Sequence, residues 1–551
     1  MGSPSAPSRA MRRQQWLEQV DAALRRSGMA GACDLAERAL AEGIEHEGLL
    51  NLVAGVRFQE GRIEEAAQLL KRARALAPRD PHVLNGLGLC LRAQGRPDAA
   101  RDAFDAAVRA DPRHAAAHYN RGVVLEDLED LPGARANYEK AIALQRDYAE
   151  PLAGLAWLSA QNGDAAEARA FGLRALALAP QHPLARMAVA AADLQDRDYA
   201  AAEPKLMALL QDPAITPVNH AIVLGLIGDL RDGQRRPDEA FVTYQACMAE
   251  LRRLYAPKFE GPGSVSALER AARLAAEFER SPPEPWREAP PARPRAADPA
   301  VHAYLVGFPR SGTTLLENVL AAHPNVVSLE EKDVLAPAIR DYLHAEGGVQ
   351  HLAGIGAGEA LKRREAYWTA VRSFGVEPRG RVFIDKMPLA SQNLPLIAKL
   401  FPNARILFAL RDPRDVVLSC FRRRFGMNPP MYQLLTLEGA ARYYDAVMRL
   451  SELYRERLPL QIHTVRYEDL VDDFSAVAGG ACAFLGLEWD EGLHDFAAKA
   501  RTRGISTPSA AQVARGLNRE GKGSWRRYEG QLGPVLPILK PWIERFGYEA
   551  E

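Results

Sequence analysis

No excess of charge of either sign marks this chain: 70 Lys and Arg face 70 Asp and Glu over 551 residues. A global field that would draw it to nucleic acid or to an anionic membrane is therefore excluded, and any basic patch must be local. Cysteine is scarce. The five present (Cys33, Cys90, Cys247, Cys420 and Cys482) have no Cys-x-x-Cys spacing, which argues against a disulfide framework and a zinc site and leaves buried thiols. No acidic ligand set is evident, so no metal is expected. No run of eighteen apolar residues occurs, and a membrane span is not expected. The opening Met1-Gly2-Ser3-Pro4-Ser5-Ala6 has no apolar signal core, and Ala6 stands where a myristoylation site has Ser or Thr. The expected location is cytoplasmic.

What is present is, first, a repeat. Ala66, Ala100, Ala134 and Ala168 follow one another at intervals of 34, as do Ala73, Ala107, Ala141 and Ala175, with Leu70, Phe104 and Tyr138 as the bulky residue between. Pro78, Pro112 and Pro180 keep the same period, and Gly61, Gly95 and Gly163 mark turns. Small residues where helices cross and large ones filling the gap are similar to the tetratricopeptide pattern of paired helices. Ala32 and Ala39 keep phase upstream and Ala202 downstream, and a further unit holds Ala240, Tyr244 and Cys247, giving six or seven repeats. The stack predicts a concave groove suited to a protein or peptide acceptor. The same surface equally suits a scaffold or a homodimer contact.

Residues 281–300 then carry seven prolines and read as an extended tether or a strap on the surface. The expected domains are a repeat domain over 12–280, a linker over 281–300 and a second domain over 301–551. In the second, apolar runs at 304–307, 382–384, 406–410 and 462–465 alternate with helical segments. That order predicts a mostly parallel open sheet with helices on both faces and ligands at the carboxyl ends of the strands, an α-solenoid followed by an α/β domain.

Residues 307–314 read Gly-Phe-Pro-Arg-Ser-Gly-Thr-Thr after the apolar run 303–306. Gly-x-x-x-x-Gly between strand and helix is a phosphate cradle, in which backbone N–H groups and the helix N-terminus face an anion. Thr313 stands where a nucleoside triphosphatase has its lysine, so the anion is not expected to be a triphosphate. A second apolar strand ends in Arg411-Asp412-Pro413-Arg414, and a helical stretch follows with Ser419 and Arg423 on one face. The two segments resemble the sulfotransferases that use 3'-phosphoadenosine 5'-phosphosulfate. That resemblance implies that Arg310, Ser311, Gly312, Thr313 and Thr314 bind the 5'-phosphosulfate and that Arg411 and Ser419 bind the 3'-phosphate. Arg423 adds charge one turn on.

Other positions are similar to tyrosylprotein sulfotransferases. Ser328-Leu329-Glu330-Glu331 lies twenty-one residues after Arg310 with the same count as in those enzymes, and Ala322-His323-Pro324 also matches. The resemblance makes Glu331 the base that takes the proton from an acceptor hydroxyl. His323 is the competing base and reads as a turn residue. Lys386, in Asp385-Lys386-Met387-Pro388, is implied to neutralise the phosphosulfate bridge oxygen. Ser509, ahead of Gln512-Val513 and Trp525, is implied to contact the transition state or the cofactor, and Asn518, Lys522 and Tyr467 to contact the cofactor. Ser524 replaces a lysine of the family, and Asp333 replaces an arginine that holds acidic peptides in the animal enzymes, which places an acidic tyrosine peptide in doubt. The fusion of repeats to such a domain resembles a bacterial class. A P-loop kinase, disfavoured by Thr313, and a repeat scaffold with an inactive nucleotide-binding domain are the other classes open to the sequence.

Overall fold

The computed structural model describes residues 9–288, 290, 297–503, 513 and 516–549. The chain divides into two compact units: Met1–Ala160 with Ala165–Ala192, and Gln161–Asp164 with Asp193–Glu551. Among the described residues no helix is long and apolar enough to cross a membrane.

The first unit is the repeat array. Its helices alternate with short turns, Glu47–Gln59 with Ile63–Leu76, Pro81–Ala93 with Pro97–Ala110, and Ala115–Asp127 with Leu131–Leu144. All eight alanines of the two periodic columns are fully buried. The close crossings also use glycine: a Cβ at Gly88 would meet the Phe104 ring at 2.5 Å, and one at Gly122 the Tyr138 ring at 2.6 Å. The turn position is left-handed at Gly61, Gly95 and Gly163, with φ of 78°, 71° and 84°. Glu129 keeps the period and adopts φ 59°. The hairpin therefore imposes this conformation even where the sequence supplies a Cβ and gives no signal.

Repeat-like helices also open the second unit: Tyr199–Leu210, Pro217–Gly233, Pro237–Phe259 and Ala267–Arg280. The sequence period thus runs past the point where compactness changes at Asp193. The apolar faces of the last three join the core that covers one side of the sheet, which includes Tyr244, Phe278, Phe408 and Tyr454. Phe278 meets Tyr454 edge-on at 4.7 Å, and Phe241 lies 5.4 Å from Phe421. Arg273 donates to Leu343 O at 2.7 Å and to Ala345 O at 2.9 Å. In the proline-rich stretch, Trp286 is buried, donates to Ser281 Oγ at 2.8 Å and lies 5.5 Å beneath the Lys399 ammonium. That part is a strap held on the surface.

A chain shortened to begin at Ala297 would expose this aromatic face. Each large apolar side chain returned to water costs about 1.5–3 kcal/mol, so four of them cost about 6–12 kcal/mol, as much as the margin of about 5–15 kcal/mol that keeps a domain folded. Such a chain is expected to show no cooperative melt by circular dichroism, whereas one beginning at Pro183 should retain it.

The sheet has five strands, all parallel, in the order β2-β3-β1-β4-β5: β1 Val301–Gly307, β2 Val326–Glu330, β3 Val382–Lys386, β4 Arg405–Leu410 and β5 Gln461–Arg466. Along β1 the side chains alternate. Ala303 and Leu305 join one core with Leu316, Leu320, Ile384 and Leu407, while Tyr304 and Val306 join the other with Phe383, Ile406 and Phe408. β2 is the strand the sequence did not declare, because it is a five-residue edge strand, Val-Val-Ser-Leu-Glu, without a continuous apolar run. Because all strands are parallel, Gly307, Glu330, Lys386, Leu410 and Arg466 end on one edge.

Candidate active site

The loop after β1 turns sharply before the helix Thr313–Ala321. Gly312 has φ 98° and a Cβ there would approach Tyr467 to 3.0 Å, while Arg310 adopts the left-handed region at φ 69°. Strain of this kind persists in a non-glycine residue only where surrounding contacts fix it. Ser311, Thr313 and Thr314 are buried at the amino end of the helix. The adjacent helix Pro413–Phe421 grips the loop: Cys420 Sγ donates to Pro309 O at 3.3 Å, and Arg310 Nε donates to Ser419 Oγ at 3.0 Å. Residues 109 positions apart are thereby brought into one site.

Arg411 closes it from β4. Its guanidinium donates to Arg310 O at 3.1 Å and to Gly521 O, and lies 4.7 Å over the Tyr467 ring. Burial, together with Arg423 and Arg411, pushes the Arg310 pKa down to about 9. Three guanidiniums whose charges oppose one another are an arrangement that a bound polyanion would neutralise. Two buried polar atoms here, Ser311 Oγ and Arg411 Nε, have no hydrogen-bond partner among the described residues, and a phosphate oxygen would satisfy both. The cradle therefore offers unsatisfied donors to anionic oxygens at two places.

Beside the cradle is a second group. Lys386, at the end of β3, is fully buried, with Nζ 2.6 Å from Glu331 Oε1, 3.5 Å from Glu317 Oε2 and 3.6 Å from Glu330 Oε1. Burial alone would lower its pKa, but Glu331, Glu317 and Glu330 reverse this and hold it above its ordinary value. Glu331 follows β2 directly, at φ 45°, and its N–H donates to Lys386 O at 2.8 Å. Asp385 points to the other face of the sheet, where burial raises its pKa to about 7 although Tyr367 donates to it at 2.7 Å. His323 lies before β2, at the opposite edge, and its Nδ1 accepts from Asn325 N at 3.1 Å in a turn.

The remaining expected contacts divide. Tyr467 begins the helix after β5 and flanks Arg411. Arg423 follows the Ser419 helix and bears on Arg310. Lys522 is engaged with the Asp472 carboxylate, and Asn518 accepts from Glu520 N at 3.2 Å within a local turn. Ser509 lies outside the described residues.

Two residues escaped sequence reasoning. Glu317, fully buried, accepts from Ser328 Oγ at 2.8 Å and reaches Lys386; a carboxylate amid Leu315, Leu316, Val319 and Leu320 was its available signal. Asp415, also fully buried, accepts from Gly523 N at 2.8 Å, Ser524 Oγ at 2.7 Å and Trp525 N at 2.8 Å. It fastens the closing segment to the helix that carries Ser419, so Ser524 has a local function distinct from the lysine it replaces.

Residues 303–491 match the Sulfotransferase family. This segment carries a sulfotransferase domain. Residues 54–115, 85–149 and 119–183 match the Tetratricopeptide repeat. Over 249 residues the chain is 27% identical to an uncharacterized protein of Aquifex aeolicus (strain VF5), an alignment covering 44% of this chain and 32% of that one. Over 261 residues it is 27% identical to protein-tyrosine sulfotransferase 2 of Gallus gallus, covering 45% of this chain and 69% of that one. The chain thus spans about a third of the Aquifex relative. Among solved structures, a tetratricopeptide repeat protein from Parabacteroides merdae aligns with TM-score 0.33 and 15% identity over 44% of this chain and 93% of its own. The loop, Glu331, Lys386, Arg411, Ser419, Arg423 and Tyr467 lie inside the sulfotransferase match, and Ser509, Asn518 and Lys522 lie beyond it.

Proposed function

We propose that the sulfotransferase domain moves a sulfuryl group from 3'-phosphoadenosine 5'-phosphosulfate to a hydroxyl of a protein or peptide acceptor. The observation that carries this reading is the Arg310–Ser419 contact, which joins the phosphate loop to the second basic half-site beside the Glu331–Lys386 pair. The donor supplies the sulfuryl group and leaves as the 3',5'-bisphosphate. Arg310 and the loop N–H groups hold the 5'-side oxygens, and Arg411, Ser419 and Arg423 hold the 3'-phosphate. Glu331 receives the proton released by the acceptor hydroxyl as its oxygen bonds to sulfur. Lys386, already an ammonium among carboxylates, offsets charge on the oxygen that departs. The similarity to protein-tyrosine sulfotransferases supports tyrosine as the acceptor residue, and Asp333 at the position two beyond the base argues against an acidic peptide around it.

Calorimetry on the whole chain tests the donor. Each charge-assisted hydrogen bond contributes about 1.5–3 kcal/mol, so 3'-phosphoadenosine 5'-phosphate should bind at least about tenfold more tightly than 5'-AMP. Magnesium should leave that affinity unchanged. Equal affinity for the two nucleotides, or metal-dependent preference for ATP, would overturn the assignment in favour of a kinase or an inactive domain. The repeats are assigned to acceptor choice, because every nucleotide contact lies after Asp193. The chain beginning at Pro183 should keep its affinity for the bisphosphate and lose transfer to the acceptor that the whole chain sulfates.

A further inference from the structure

The strip Arg422-Arg423-Arg424 follows the helix that carries Ser419, and two carboxylates of the repeat-like helix Pro217–Gly233 meet its outer members. Asp229 accepts from Arg424 at 3.1 Å and from Tyr244 OH at 2.8 Å. Asp232 accepts from Arg422, from Arg527 at 2.8 Å and from Tyr528 OH at 2.7 Å. The Arg422 guanidinium lies between two rings, 5.0 Å from Tyr244 and 5.1 Å from Tyr528. The helix is shaped for Arg424: a Cβ on Gly225 would come within 2.1 Å of its guanidinium. All these residues belong to the second compact unit.

We propose that Asp229 and Asp232 are positioning residues of the nucleotide site, holding Arg422 and Arg424 against the repeat-like hairpin so that Ser419 and Arg423 present to the 3'-phosphate. The proposal rests on the nucleotide reading above. Three adjacent guanidiniums repel one another, and a pair of carboxylates fixed on a separate element determines which of them turns away. Asp232 extends the arrangement to the closing segment, since its partners Arg527 and Tyr528 belong to the same short helix that Asp415 caps. The last repeat-like hairpin is in this way part of the cofactor site.

The test compares 3'-phosphoadenosine 5'-phosphate with 5'-AMP by calorimetry on the whole chain and on Asp229→Asn and Asp232→Asn. Affinity for the bisphosphate is expected to fall about tenfold or more while that for 5'-AMP changes less than about threefold, and Asp229→Glu should recover most of the ratio. A general loss of stability would weaken both nucleotides alike, and removal of mere negative charge would tighten both; either result overturns the proposal. If an Asn variant fails to melt cooperatively, Gly225→Ala displaces Arg424 without changing charge and should lower the same ratio, an unchanged ratio again refuting the role. A whole chain that does not prefer the bisphosphate removes the nucleotide reading and this inference together. Preference in the whole chain with unaltered preference in every variant removes the inference alone.

Discussion

Glu331→Gln is expected to lower turnover by about 10²–10⁴ while leaving the affinity for 3'-phosphoadenosine 5'-phosphate within about threefold of its original value. The substitution removes the basic carboxylate but keeps an oxygen that accepts from Lys386, now at 2.6 Å, and does not alter the backbone bond from Glu331 N to Lys386 O. Fold and cradle should therefore persist. Binding by calorimetry and transfer by incorporation of labelled sulfate separate the two quantities. His323→Ala provides the contrast, since that side chain supports a turn at the opposite edge of the sheet and should affect turnover little. If the histidine variant loses transfer while Glu331→Gln stays active, the base has been misassigned.

Lys386→Met is expected to lose activity and a large part of the domain's stability at once. Its ammonium is fully buried among Glu317, Glu330 and Glu331, and Glu317 is itself fully buried. Removing one partner of a buried ionic group leaves uncompensated charge, at a cost of about 3–5 kcal/mol. With its folded pKa above the ordinary 10.5, Lys386 contributes stability that is fully present below 10.5 and is lost as pH rises through the higher folded value. Thermal melts at neutral pH should accordingly show a marked fall for Lys386→Met. The double change Lys386→Met with Glu317→Gln should recover part of it, because the two neutral side chains no longer leave that carboxylate unpaired. A single variant as stable as the original would contradict the charge-compensation account.

Local order was legible in the sequence wherever one physical requirement repeats or one short motif suffices. Alanine at intervals of 34 is demanded at every helix crossing, so Ala66 through Ala175 declared the repeat, and all of them are fully buried. Apolar runs ended by Gly307 and Arg411 declared strands and the positions of their carboxyl ends. Only the tertiary structure decided what meets what. The five-residue edge strand β2 carries no apolar run of its own, and its place beside β3 is what sets Glu331 against Lys386. Glu317 reads locally as an anomaly in an apolar helix, and its partner lies on a strand 69 positions on. Asp415, Asp229 and Asp232 resemble any surface carboxylate until packing removes water and supplies donors from distant segments. The compact boundary at Asp193 has the same origin: period is a local property of helices, whereas the aromatic face that binds Phe278 to Tyr454 and Phe241 to Phe421 exists only after the chain has folded back on the sheet.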